Sequence, residues 1–209
     1  MAREKKLFRF DDGIRDAHPG VLAGIDEAGR GPLAGPVAAA AIIFRRPPSL
    51  PGLNDSKKVS PPLREILFKQ IISQSLVGIG VVSESVIDQV NILQATRLAM
   101  REAVLALPCT PQFLLIDGQI ELDLPIPQLG IVQGDGRSAL IAAASIIAKV
   151  YRDHQMKKWH HRYPEYRFDL HKGYATRKHL KILRLKGATA IHRKTFLPVA
   201  ETFLGEIER

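Results

Sequence analysis

Gly24-Ile-Asp-Glu-Ala-Gly-Arg-Gly31 is the stretch on which the reading of this chain turns. The residues leading into it are apolar and include the β-branched Val21 and Ile25, so Val21–Asp26 reads as a strand. That strand carries two acids, Asp26 and Glu27, at its carboxyl end. Neighbouring residues of a strand point to opposite faces, so both acids cannot enter one core. An Asp near the inside of a sheet is costly unless it is paired or bound to metal. A local twist or bulge is expected at this strand end if both carboxylates are to serve one site. Taken alone, the segment is equally compatible with a strand that stops at Asp26 and two solvated acids. The glycine-rich run Gly29–Gly35 that follows reads as a turn. Val37–Phe44 reads as a second strand, paired with the first in an antiparallel meander.

Further along, Ser60 before Pro61 and Pro62 predicts a helix start. Leu63, Ile66, Leu67 and Ile71 give that helix one apolar face. Leu76–Val82 reads as a strand, and Asn91–Leu107 as a helix with Leu93, Thr96, Met100, Val104 and Leu107 at 3–4 spacing. Phe113–Ile116 and Gly130–Val132 are short strands. Ser138–Trp159 is a long helix whose first half is small and apolar and whose second half carries Lys149, Arg152, Lys157 and Lys158. Thr176–Lys186 and Thr195–Glu206 are closing helices. The pattern predicts an α/β fold, a mixed sheet with helices on both faces. Residues 1–20 are charged and contain Gly13, Pro19 and Gly20. They read as a loosely ordered N-terminal arm before a single domain over 21–209.

Two more acids occupy the position of Asp26. Asp117 follows Phe-Leu-Leu-Ile and precedes Gly118. Asp135 lies in Gln133-Gly-Asp-Gly136, after Gly-Ile-Val and before a helix. In open α/β sheets, sites gather at the carboxyl ends of strands. Each acid also has a plain reading, an Asp-Gly turn for Asp117 and a helix cap for Asp135. Clustered carboxylates repel one another unless a cation neutralises them. A set of Asp and Glu, with no cysteine or paired histidine at ligand spacing, selects hard ions such as Mg²⁺ or Mn²⁺.

The 209 residues include 30 Lys and Arg against 21 Asp and Glu, a formal charge of +9. That surplus favours a polyanionic partner, either nucleic acid or an anionic membrane. The longest clean apolar run, Val37–Phe44, is too short to span a bilayer, and no apolar stretch follows the basic N-terminus. Nucleic acid is therefore the expected partner, without a membrane. The lone Cys109 can form no intrachain disulfide and predicts a reducing, cytoplasmic home. Asn54-Asp-Ser-Lys-Lys58, His171-Lys-Gly-Tyr174 and Ile191-His-Arg-Lys194 put cations, and once an aromatic ring, in polar loops. Each could grip a phosphate backbone or be an ordinary solvated loop.

Several of these runs together resemble the ribonuclease HII family. They are Ala23–Pro32, Leu53–Lys58, Asn91–Leu93 with Ala95-Thr96, Leu115–Gly118, Gly134-Asp135, Ala142–Val150 with Arg152-Asp153, His171–Tyr174, and Gly187–Thr189 with His192-Arg193. They stand in the family's order and cover roughly residues 21–200. The resemblance implies a ribonuclease H-like fold with a C-terminal helical extension. It implies a monomeric, metal-dependent endonuclease of genome maintenance that uses two ions, Mg²⁺ or Mn²⁺. Such an enzyme hydrolyses the RNA strand of RNA–DNA hybrids. It also incises 5′ of single ribonucleotides embedded in duplex DNA, leaving a 3′-hydroxyl and a 5′-phosphate. Carried over by position, Asp26, Glu27, Asp117 and Asp135 are the catalytic and metal-binding carboxylates. Gly29, Arg30 and Gly31 read the ribose 2′-hydroxyl, largely through the main chain, where a Cβ would block close approach. Tyr174 lies on the deoxyribose beyond the junction. Lys57, Lys58 and Arg193 are phosphate contacts, and the helix carrying Ser145 and Lys149 is packing support.

The chain departs from the family pattern at Gln133, where lysine is frequent, and at Lys194-Thr195, where Arg-Ser is more usual. The C-terminal Gly205–Arg209 carries no evident sliding-clamp peptide. Two alternatives compete. Another two-metal nuclease on the same scaffold, such as a 3′–5′ exonuclease, would not need Gly29–Gly31 or Tyr174. A non-catalytic hybrid-binding protein would not need four acids facing a polyanion.

Overall fold

The computed structural model describes residues 2–204. Five strands form one sheet: β1 (Leu22–Ala28), β2 (Val37–Phe44), β3 (Ser75–Val82), β4 (Phe113–Asp117) and β5 (Gln128–Ile131). Their spatial order is β3-β2-β1-β4-β5. The first three strands are antiparallel neighbours, and β4 and β5 run parallel to β1. The mixed sheet and the β1–β2 meander agree with the expectation from sequence.

The β1–β2 register runs without interruption from Gly24 opposite Ile42 to Ala28 opposite Ala38. No bulge therefore lies at Asp26–Glu27, and the bulge half of the expected twist or bulge is corrected. Pairing of β1 with β4 ends at Ile25 opposite Ile116. The two acids lie just beyond that last pair, where the β4 side of the strand is open.

Helices cover both faces. On one, α4 (Ala139–Arg162) packs with α2 (Pro61–Gln74) over Ala40, Ile42 and Leu115. On the other, α3 (Glu84–Leu105) packs over Ile25, Ala39, Ala41 and Ile116. The small residues of the sheet let these helices come close. A Cβ on Gly24 would overlap the backbone of Leu140, and one on Gly78 or Gly80 would overlap the carbonyls of Ala103 or Ala99. With Ala38–Ala41 fully buried between the layers, the strand positions are fixed from both sides.

The helix starts expected at Ser138 and Thr176 are capped by those residues, while the one cap expected, at Ser60, does not form. Ser138 accepts the Ile141 N–H at the start of α4, and Thr176 accepts the His179 N–H before α6 (Arg177–Lys186). Ser60 makes no side-chain cap, so the two prolines set the start of α2. Within α3, Asn91 has φ 67° and breaks the helix. Its side chain accepts the N–H groups of Leu93 and Gln94, so the predicted start at Asn91 is the start of the second half only. The expected C-terminal helix begins at Leu197, not Thr195, because the Thr195 N–H and hydroxyl are committed to Asp88. Its expected end at Glu206 lies outside the described residues, as does Gly205–Arg209.

The N-terminal arm is corrected too. Residues Ala2–Ala17 form a helix, α1, that packs on the body of the molecule. Leu7 is buried, with Phe10 and Ile14 against the same core. These three fall at 3–4 spacing, an apolar stripe within a charged segment. The buried Asp11 accepts the Leu140 N–H, and Glu4 accepts the Leu50 N–H. Among the described residues, no helix is long and apolar enough to cross a membrane.

Candidate active site

The sheet brings Asp26, Glu27, Asp117 and Asp135 to its carboxyl rim. Asp26 is nearly inaccessible on the α4 face, and its carboxylate accepts the Glu27 N–H at 2.7 Å. The Ser145 hydroxyl of α4 also bonds to it and lies 2.8 Å from the Ser56 hydroxyl. Ser145 thus ties Asp26 and the loop before α2 together, a larger part than packing support. Burial, then repulsion from Glu27 and Asp117, pushes the Asp26 carboxyl well above the usual carboxylate range. Glu27 is also pushed up, first by burial and then by Asp117, although Arg30 at 3.4 Å opposes this.

Asp117 ends β4, and one of its carboxylate oxygens accepts the N–H groups of Gly134 (2.7 Å) and Asp135 (3.4 Å). It holds the short 3₁₀ turn Gly134–Gly136, entered through Gln133 in a left-handed conformation. That turn presents Asp135. Burial, then Asp55 and Asp117, pushes the Asp135 carboxyl up to about 6, while Lys57 opposes the rise.

Asp55 is an acid that the sequence reading passed over, although it sits inside Asn54–Lys58. It is buried and hydrogen-bonds to Asp135. Burial works to raise its pKa. The Lys57 N–H at 2.9 Å and the Lys58 ammonium at 3.2 Å outweigh this and hold it below the usual range. Lys57 feels Asp135, Asp26, Asp55 and Asp117 together, and their attraction raises its pKa against the effect of burial. An open cleft of about 360 Å³ is lined by Asp55, Lys57, Lys58, Asp117, Gln133, Asp135, Gly136 and Arg137. The signal for Asp55 is in the sequence: an acid one residue removed from a lysine pair in a polar loop.

The loop after β1 lies over two buried arginines. Arg152 of α4 donates to the carbonyls of Pro36 (2.8 Å), Ala34 (3.0 Å) and Lys172 (3.0 Å). Arg193 donates to Gly29 (2.6 Å), Arg30 (2.8 Å) and Gly35 (2.8 and 3.0 Å). Arg193 is 0% exposed, so its expected role as a phosphate contact is corrected. All three of its nitrogens are spent on main-chain carbonyls. Burial lowers its pKa to about 9 and that of Arg152 to about 10. Gly29 has φ 100°, and a Cβ there would overlap the Arg152 side chain. Glycine is needed at that position by what lies beneath the loop, not only by what approaches it.

Gly31 is different. A Cβ there would meet only the Tyr174 ring, at 3.8 Å. The half-exposed Tyr174 therefore lies against Gly31 on the open side of the loop. It is held there because Leu33 donates to the Gly173 carbonyl at 2.8 Å and Ala34 bridges His192. Beneath, His179 and His192 face each other at 3.0 Å, both buried, in an aromatic cluster with Tyr166 and Phe168.

The acid rim suits a divalent cation in donor chemistry: oxygen ligands only, three of them driven toward protonation by burial and mutual repulsion. Among the described residues no three of His, Cys, Asp and Glu gather around one point. A divalent cation here would be held by one or two carboxylates with water completing its shell, as is usual for Mg²⁺.

A family model described as Ribonuclease HII matches residues 23–199. The chain belongs to the ribonuclease HII family. A ribonuclease HII of Bacillus cereus (strain ZK / E33L) is 47% identical over 204 residues, covering 95% of this chain and 79% of that protein. Among solved structures, the ribonuclease H2 of Pyrococcus horikoshii OT3 superposes with a TM-score of 0.77 at 23% identity, over 90% of this chain and all of the other. Bst-RNase HIII in complex with Mn²⁺ gives a TM-score of 0.70 at 18% identity, over 90% of this chain and 71% of that one. At such identities the two structures establish the ribonuclease H-like fold. As a ribonuclease HII family member, the chain is a metal-dependent endoribonuclease acting on the RNA of RNA–DNA hybrids.

Proposed function

We propose that this enzyme also incises duplex DNA on the 5′ side of single embedded ribonucleotides, leaving a 3′-hydroxyl and a 5′-phosphate. The observation that carries this is the juxtaposition of Tyr174 and Gly31 on a loop that grows directly out of the acid-bearing strand. The carbonyls of Gly29, Arg30 and Gly35 are turned inward onto Arg193. Among the described residues, the N–H groups of Arg30 and Gly31 have no partner, so main-chain donors remain for a ribose 2′-hydroxyl. Tyr174 stacks on the next sugar, and the pair recognises an RNA-to-DNA step rather than a run of RNA. That activity places the enzyme in the removal of ribonucleotides from DNA.

Asp26, Glu27, Asp117 and Asp135 hold two divalent cations in this reading, Mg²⁺ or Mn²⁺. The Mn²⁺ complex of RNase HIII, on the same fold, supports a divalent ion. When bound, the ions supply an activated water and charge to stabilise the leaving oxygen. The protein's part is positional. Asp117 fixes the turn that carries Asp135, Ser145 orients Asp26, and Lys57 balances the acids while a phosphate enters. Lys57 and the exposed Lys58 flank the backbone on the cleft side.

The test is a labelled DNA duplex carrying one ribonucleotide, incubated with Mg²⁺ or Mn²⁺ and mapped at single-nucleotide resolution. A single cut 5′ of the ribonucleotide is expected. Cleavage confined to long hybrids would overturn the junction reading, and trimming of all-DNA ends would favour an exonuclease.

A further inference from the structure

We propose that Arg137 is a phosphate-binding residue of the cleft and that Phe10, on the N-terminal helix α1, is the residue that positions it. The inference rests on the acid cleft being the place where the hybrid is cut. Arg137 lines that cleft together with Asp117, Asp135 and Lys57. Lys57 is engaged with the acids and Lys58 with Asp55. Arg137 has no salt bridge among the described residues. Its guanidinium instead lies over the Phe10 ring, 5.2 Å from the centroid.

That arrangement does two things. A guanidinium stacked on an aromatic ring gives up one face, while the N–H donors in its plane stay free for a forked bond to phosphate. Stacking also removes rotamer freedom that an exposed arginine would otherwise lose on binding. The backbone is fixed as well. The Arg137 N–H donates to the Gly134 carbonyl, and Ser138 caps α4. Asp11, the residue after Phe10, accepts the Leu140 N–H. Consecutive residues of α1 therefore hold both the side chain at 137 and the first turn of α4 that follows it. Phe10 and Asp11 lie before residues 23–199, which the family model matches, whereas Arg137 and Leu140 lie within them.

The experiment measures kcat and KM on a labelled RNA–DNA hybrid over a series of KCl concentrations. Arg137→Ala should raise KM roughly tenfold, the worth of one charge-assisted hydrogen bond. It should leave kcat unchanged and flatten the log KM versus log salt slope by about one phosphate. Phe10→Leu keeps the apolar volume and loses the ring, and should raise KM roughly threefold to fivefold, the range of an exposed cation–π contact. Phe10→Trp should restore the wild-type KM. In Arg137→Ala, adding Phe10→Leu should cost nothing more. A Phe10→Leu enzyme with wild-type KM, multiplicative effects in the double variant, or an Arg137→Ala loss confined to kcat would each overturn the proposal. Failure of the wild-type enzyme to cut the hybrid would instead strike the reading of the cleft itself. If Phe10→Leu unfolds, Phe10→Met, which also keeps an apolar side chain and lacks the ring, takes its place with the same expected rise in KM, and a wild-type KM there overturns the positioning role.

Discussion

Replacing Arg193 by lysine separates two roles that one charge could play. If Arg193 gripped the phosphate backbone, lysine would preserve most of its function. In the structure it instead makes four hydrogen bonds to three main-chain carbonyls, the buried ones of Gly29 and Gly35 and the part-buried one of Arg30. A single ammonium on a flexible stem cannot span the positions reached by the three nitrogens of the fork. At least two of the carbonyls, or the ammonium itself, lose a partner. Each buried polar group left without one costs about 1–3 kcal/mol, so two such losses cost about 2–6 kcal/mol. That is a large share of a typical stability of about 5–15 kcal/mol. For a chain of this length, each kcal/mol shifts Tm by about 2–4 °C, which gives a fall of roughly 4–24 °C. Thermal unfolding of Arg193→Lys, with the salt dependence of KM measured below the transition, checks this. The salt slope should match the wild type, because no phosphate contact is lost. An unchanged Tm with a slope flattened by about one unit would refute the buried-staple account and restore the phosphate role.

Other consequences are as direct. Asp135→Asn should lower kcat by more than roughly 100-fold, the upper end of what even outer-shell partners of a metal cost. It should also raise Tm in chelator. The Asp135 carboxyl is pushed up to about 6 from an unfolded value near 3.8, so the fold favours the protonated form and the charged form destabilises it above about pH 6. For the same reason metal binding and turnover should fall as pH drops through about 6, where protons compete with the cation; a flat pH–rate profile between 5 and 7.5 would contradict this. Tyr174→Ala should reduce incision at a single embedded ribonucleotide more than cleavage of a long hybrid, and equal losses would remove its junction role. His179 and His192, lowered to about 4 and about 3 by burial, should stay neutral to pH 5 in ring-proton spectra. Their depressed folded values mean that the stability they contribute is present above about 6.5 and is lost as pH falls toward 4; a ring titrating near 6.5 would show the pair to be accessible. Gly29→Ala should fail to fold or lose several degrees of Tm, because φ 100° and the Arg152 side chain leave no room for a Cβ.

Much of this architecture was legible because local chemistry and tertiary demand coincide. Val37–Phe44 is apolar throughout and is a strand buried on both faces. Ser138 and Thr176 announce helices that they do cap. Asp117 and Asp135 stand where strand ends meet glycine, and the fold gathers them beside Asp26 and Glu27. What was not legible depends on distance along the chain. Arg193 reads as one more basic residue, since its carbonyl partners lie 158 to 164 positions away. Asp55 reads as a loop acid until Asp135 is placed beside it. The helix α1 was hidden by its charge and by Gly13, although Leu7, Phe10 and Ile14 carried the period. The Glu84–Val90 half of α3 was missed because Asn91 is a sound helix start in its own right.

The staple at Arg193 also has a meaning in time. A chain is made from its N-terminus at about 5–20 residues per second, and its segments fold as they emerge. All four acids have been made once residue 135 is added, but the Arg193 staple of the loop beside them and the bridge at His192 follow roughly 60 residues later. In the order of synthesis, the staple beneath this loop is thus the last part of the site to be made.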